Sequence, residues 1–136
     1  ALLSLLLLGA GAVLLPARAA SVAQGEAGTV RFDDARLASL RAAGKPVFLY
    51  FTADWCLTCK ANEAAAIERA ETRESFAKAG VTVMVGDWTN ADPAITRFLE
   101  AQGRSGVPLY LWYAPGQPPQ VLPQLLTVST LTALVR

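Results

Sequence analysis

Histidine is missing from all 136 residues of this chain, and cysteine occurs only twice. Without an imidazole, the Ser-His-Asp and Cys-His nucleophile pairs in their usual forms are unavailable. A haem-attachment motif is excluded as well, because Lys60 follows Cys59 where that motif needs histidine. Two cysteines and no histidine cannot supply the four ligands of a zinc site, so no metal site is expected. The chain also lacks a charge of dominant sign: 12 basic and 11 acidic side chains leave a net charge of +1. That balance gives no basic patch and no acidic tail, and no nucleic-acid partner is expected. Apolar residues are plentiful, at 53%, enough for a sizeable core in a chain of one domain and a short appendage.

Residues 1–15 are almost wholly apolar and run into Pro16 and Arg18. The chain does not begin with Met and has no basic n-region, so its start reads as truncated. Two readings stay open. The run is either the h-region of a secretory signal, with Ala17-Arg18-Ala19 as a small-residue cleavage site, or the tail of a membrane-spanning helix, which needs roughly 20 apolar residues. A buried core helix fits poorly, because no polar face interrupts the run. Residues 19–29 are small and polar without periodicity and read as a linker. The expected division is therefore residues 1–18 as transmembrane end or signal h-region, 19–29 as linker, and 30–136 as the folded domain.

Beyond Val30 the patterns alternate. Asp33 or Asp34 is placed to cap a helix running to about residue 43, with Leu37 and Leu40 inward and Gly44-Lys45-Pro46 as its stop. Residues 47–52 (VFLYFT) form a short apolar run, the pattern of a strand buried on both faces. A turn at Ala53-Asp54-Trp55 leads to a helix expected from Cys56 to about residue 79. A second buried strand is expected over 81–85, and a helix starting at Pro93 with Asp92 as cap. Residues 109–113 (LYLWY) read as a third strand, 120–122 as an edge strand, and 127–135 as a closing helix. The expected order is βαβαβαββα.

The chemistry lies in Cys56-Leu57-Thr58-Cys59, directly after a buried strand and at the start of a helix. Unpaired N–H groups and the dipole at a helix start favour negative charge, so the first cysteine is expected to form a thiolate readily. The second lies three residues on, on the same face, where the two sulfurs can meet. Cys56 is thus the candidate attacking thiolate and Cys59 the resolving one, in dithiol–disulfide exchange. Spacing alone does not give the direction. A static bridge would close only a very short loop and add little stability, and half a metal site lacks its other ligands.

The run Phe51-Thr52-Ala53-Asp54-Trp55-Cys56-Leu57-Thr58-Cys59-Lys60-Ala61-Asn62-Glu63 closely resembles the C-terminal periplasmic domain of the DsbD family, the thiol–disulfide interchange proteins or protein-disulfide reductases. Asp87-Trp88-Thr89, Gly103-Arg104-Ser105-Gly106-Val107-Pro108-Leu109-Tyr110 and Leu122-Pro123-Gln124-Leu125-Leu126-Thr127 are similar to the same family in the same order. The resemblance runs from about Phe32 to the C-terminus. It implies a thioredoxin-like α/β fold, a central mixed sheet flanked by helices, here preceded by the apolar membrane or signal segment. It also implies that the domain follows the last helix of a membrane-embedded electron-transfer domain of the same protein. The expected setting is then the bacterial inner membrane, reached through the N-terminal segment, with the domain in the periplasm and periplasmic thiol–disulfide proteins as partners. No cofactor is expected beyond the redox-active Cys56–Cys59 disulfide.

The resemblance further implies a cis peptide bond at Pro108, facing the disulfide and exposing the Val107 backbone to a substrate strand. Trp55 would cover the disulfide and Asp54 would stand on its rim. Glu63 matches a carboxylate close to the cysteines and is a candidate proton relay for Cys59. Lys60 is expected to act electrostatically. One position departs from the pattern: Tyr50 stands where thioredoxin-like domains often carry a buried Asp, leaving the relay to Glu63, Lys60 or water. Besides the membrane-linked reductase, two other readings are kept: a stand-alone exported thioredoxin-like protein, for instance in cytochrome maturation, and a non-catalytic redox-sensing or partner-binding module.

Overall fold

A computed structural model of the chain describes residues 28–136 together with the backbone of Gln24 and Gly25. The expectations for residues 1–18 lie outside the described residues. Among the described residues, five helices and six strands follow in the order β1 (Gln24–Gly25), β2 (Thr29–Arg31), α1 (Asp34–Ala42), β3 (Val47–Thr52), α2 (Leu57–Asn62), a π turn (Glu63–Ile67), α3 (Ala70–Lys78), β4 (Thr82–Asp87), α4 (Pro93–Ala101), β5 (Leu109–Tyr113), β6 (Gln120–Val121) and α5 (Val128–Ala133). The strands form one mixed sheet in the order β1-β2-β4-β3-β5-β6. β3 lies parallel to β4 and antiparallel to β5. This is the thioredoxin-like architecture that the resemblance implied. β1 and the first residue of β2 fall in the stretch read as linker. Among the described residues, no helix is long and apolar enough to cross a membrane.

Strand alternation divides the core between the two faces of the sheet. Val47, Leu49 and Phe51 of β3, with Leu109, Leu111 and Tyr113 of β5, pack under Leu37 of α1 and Ile95 and Leu99 of α4. Phe48 and Tyr50, with Tyr110 and Trp112, pack on the other side against Ala66, Ile67, Phe76 and Leu131. Every residue of β3 is buried, as its unbroken apolar run requires. The caps are local. Asp33 accepts from the Arg36 amide at 2.7 Å, and Asp92 accepts from Ala94 and Ile95 at 2.9 and 3.1 Å ahead of Pro93. Thr127 caps α5 in the same way.

Two expectations are corrected. The single helix expected from Cys56 to about residue 79 is broken. The chain widens into a π turn at Glu63–Ile67, closed by the Glu68 amide donating to the Glu63 carbonyl at 2.8 Å, and becomes extended at Arg69 before α3 begins. The wider turn presses Ala66 and Ile67 onto the sheet, and the Thr72 hydroxyl donates to the Ala66 carbonyl at 2.7 Å. β4 runs to Asp87 rather than ending at residue 85, and it is not fully buried: Val83 and Val85 are only half-covered. Those two valines, with Tyr50, Thr52 and Glu63, line a groove of about 560 Å³ on the α3 side of the sheet.

Phe51 sets the packing at the end of β3. Its ring meets Phe32 and Phe98 at 5.1 and 5.0 Å and lies over Gly86, its partner in β4. A Cβ on Gly86 would stand 2.3 Å from that ring, and Phe51 is wholly buried between Phe32 and Phe98. Gly86→Ala is therefore expected to destabilise the domain by about 1–3 kcal/mol, the usual penalty of overpacking. Thermal unfolding checks this; an unchanged midpoint would contradict the packing described.

Candidate functional site

The reactive segment is fixed by the end of β3. After Thr52 the chain turns through Ala53-Asp54-Trp55, and the Cys56 amide donates to the Ala53 carbonyl at 3.1 Å. Cys56 has extended backbone angles and occupies the N-cap of α2; its Sγ accepts from the Cys59 amide at 3.2 Å. The two cysteines are joined as a disulfide, with an S–S length of 2.13 Å and Cα atoms 5.2 Å apart. Both cysteines are buried, Cys56 at 8% exposure and Cys59 at 1%. Ala53 and both cysteines pack together, with Val107 against them. The Val107–Pro108 peptide bond is cis.

Glu63 is a buried carboxylate with two partners: it accepts from the Thr52 hydroxyl and, at 3.0 Å, from Lys60 Nζ. Lys60 Nζ also lies 3.8 Å from Asp54, which is exposed on the rim. The ammonium is thus shared between a buried and a surface carboxylate. Burial pulls the Lys60 pKa down, but the hydrogen bond and charge of Glu63, helped by Asp54 and Asp87, outweigh it and the net shift is upward. Tyr50, at the position of the expected Asp, is buried and lines the same groove as Glu63 and Lys60.

Trp55 is 58% exposed and lies against the turn after β4. Its Nε1 donates to the Thr89 carbonyl at 3.2 Å, and its ring is 6.0 Å from that of Trp88. The Asp54 amide donates to the Thr89 hydroxyl at 3.0 Å, and the same hydroxyl donates to Asp87. The 87–89 turn therefore clamps the two residues that precede Cys56. Asp87 is held below the usual aspartate range, first by hydrogen bonds from the Thr89 hydroxyl and amide, against burial, with Lys60 and Arg31 adding to the shift.

Of the residues singled out from sequence, Cys56, Cys59 and Val107 pack together, Lys60 joins Glu63 to Asp54, and Trp55 sits on the 88–89 turn. Sequence reasoning assigned no role to Thr52, Thr89 or Asn62. Thr52 had a visible signal, as the one aliphatic hydroxyl in a six-residue apolar strand. Asn62, 3% exposed, had none: its side-chain amide donates to the Tyr110 hydroxyl at 2.8 Å and the Gln124 carbonyl at 2.7 Å, and its oxygen accepts from the Leu126 amide at 3.0 Å.

A family model described as thioredoxin-like matches residues 30–115. The chain is 37% identical over 86 residues to thiol:disulfide interchange protein DsbD 1 of Pseudomonas aeruginosa, which covers 61% of this chain and 14% of that protein. It is 32% identical over 83 residues to thiol:disulfide interchange protein DsbD of Vibrio cholerae, covering 60% of this chain and again 14% of the relative. The chain thus spans about a seventh of the length of these curated relatives. Among solved structures, the oxidised C-terminal domain of DsbD from Neisseria meningitidis superposes with a TM-score of 0.60 at 24% identity, covering 74% of this chain and 91% of that one. The resemblance read from the sequence is borne out by these matches.

The depressed Asp87 pKa has a direction on a pH scale. Its contribution to stability is present above the ordinary aspartate value of about 3.9 and is lost as pH falls through the lower folded value. Asp87→Asn should therefore flatten the acid limb of unfolding below about pH 4, followed by the fluorescence of the neighbouring Trp55 and Trp88. The effect should be small, because Asp87 is exposed. An acid limb identical to that of the parent protein would refute the clamp.

Proposed function

The chain belongs to the thioredoxin-like family, and on that premise we propose that it is a thiol–disulfide oxidoreductase that reduces disulfide partners through Cys56 and Cys59. One observation carries the reading: two cysteines close a disulfide across the first turn of α2, with Cys56 at its N-cap and the less deeply buried of the two. From the dithiol form, the Cys56 thiolate attacks one sulfur of a partner disulfide. The Cys56–partner bond forms, the partner's S–S bond breaks, and its other sulfur leaves as a thiolate and takes up a proton. Cys59 then loses its proton and attacks Cys56 Sγ, which re-forms the Cys56–Cys59 disulfide and releases the partner as a dithiol. Two electrons and two protons pass to the partner, and the exchange needs no cofactor beyond the disulfide.

Glu63 is the proposed acceptor of the Cys59 proton. It stands four residues after Cys59, one turn along the same face, and both side chains are buried. Lys60 balances its charge. Val107 offers its backbone to an extended partner segment beside the sulfurs, and Trp55 and Asp54 form the rim. The DsbD names of the relatives support a finer reading. In it, the electrons come from a membrane-embedded redox domain of the same protein, and the acceptors are thiol–disulfide proteins of the bacterial periplasm. The chain then works at the inner membrane.

Two measurements test the roles. Cys59→Ala should accumulate mixed disulfides through Cys56, visible as bands lost on reduction, while Cys56→Ala should trap none; equal trapping by both variants would reverse or remove the assignment. Glu63→Gln should leave alkylation of Cys56 intact while slowing mixed-disulfide resolution by about a hundredfold, the scale of a lost general base. Resolution at the parent rate would take Glu63 out of the mechanism.

A further inference from the structure

Asn62 is buried one turn beyond Cys59, and its three hydrogen bonds go to two other segments. One bond reaches Tyr110, two residues after Pro108. The other two hold both ends of a tripeptide: the Gln124 carbonyl accepts from the amide and the Leu126 amide donates to its oxygen. A carbonyl on one side and an N–H on the other suit the two ends of a carboxamide, and the pattern fixes which way the Asn62 amide faces. Between the two held residues, Leu125 is 74% exposed. The same loop also reaches the proline, as the Gln124 side chain donates to the Pro108 carbonyl at 3.4 Å. Asn62 thereby ties the helix carrying the cysteines, the strand after Pro108 and the 124–126 loop into one frame.

The exposed apolar side chains follow that frame. Of the four large hydrophobic residues that are exposed among the described residues, Trp55 and Leu57 flank Cys56 and Leu125 stands on the Asn62-held loop; only Val121 lies elsewhere. Exposed apolar groups on either side of Cys56 in the chain and on a loop bonded to the cysteine helix and to Pro108 mark a contact surface. We propose that Asn62 is a positioning residue for partner recognition: it fixes the 124–126 loop against the cysteine helix and Pro108, so that Leu125 walls a site for an extended apolar segment next to a protein disulfide. This inference rests on the exchange activity proposed above.

The test compares two electron acceptors for the reduced full chain: insulin, whose disulfides lie in a folded protein, and 5,5′-dithiobis(2-nitrobenzoate), which is too small to need the loop. In Asn62→Ala, kcat/KM for insulin should fall about tenfold relative to the rate with the small disulfide, the scale of losing a buried hydrogen-bonded contact. Tyr110→Phe keeps the ring packing and removes one of the three bonds. It should fold as the parent does and shift the same ratio in the same direction by about two- to threefold. A purely structural role would lower the melting temperature and leave the ratio unchanged. Equal loss with both acceptors, or an unchanged ratio in both variants, overturns the positioning role while leaving exchange intact. A parent chain that reduces neither acceptor overturns the exchange reading itself, and this inference with it.

Discussion

The hydrogen bond between Thr52 and Glu63 joins the end of the central strand to the end of the cysteine helix. A carboxylate as buried as Glu63 is unfavourable unless its oxygens are satisfied. Thr52 satisfies one from the sheet and Lys60 the other from the helix. The position of α2 over the sheet is therefore constrained by polar pairing as well as by apolar contact. Cys56 at the N-cap and Cys59 one turn later inherit that position. The π turn that begins at Glu63 belongs to the same arrangement, because it lets the chain leave the buried carboxylate and still seat Ala66 and Ile67 on the core.

Around this link a buried sheet carries loops that hold the polar and apolar groups near the cysteines. β3 is buried along its whole length and paired on both edges, parallel to β4 and antiparallel to β5. Three loop segments then surround the reactive pair: the 87–89 turn under Asp54 and Trp55, Val107 packed against the cysteines, and the 124–126 loop held by Asn62. Each is tied to the frame by hydrogen bonds that leave side chains such as Trp55, Leu57 and Leu125 facing outward. Binding and reactive groups are commonly carried on loops over a rigid scaffold.

The charges near the disulfide form a local system unlike the balanced whole. Asp54, Glu63 and Asp87 all act on Lys60, whose pKa rises despite the opposing effect of burial. That ammonium is engaged by carboxylates, so its influence on the cysteines is reduced by the same groups that hold it in place. The groove lined by Tyr50, Thr52, Lys60 and Glu63 opens this system on the side away from α1 and α4. The tyrosine that replaces the expected acid leaves Glu63 as the buried carboxylate beside the cysteine helix.

The sequence alone determined the elements whose signals are local. Strand β3 was legible in an unbroken apolar run, α1 and α4 in their aspartate caps and the Pro93 start, and the reactive pair in two cysteines one turn apart after that strand. Those patterns depend on neighbours within a few residues, which a one-dimensional reading contains. The tertiary structure decided the rest. Thr52 meets Glu63 across 11 residues, Asp54 meets Thr89 across 35, and Asn62 reaches Tyr110 across 48 and Leu126 across 64. The break in the long helix belongs with these, since a π turn trades local hydrogen-bond geometry for packing against a sheet built from distant strands. A polar side chain in a helix carries no mark of whether it will face water or a carbonyl 62 residues on; only the closed fold sets that partner.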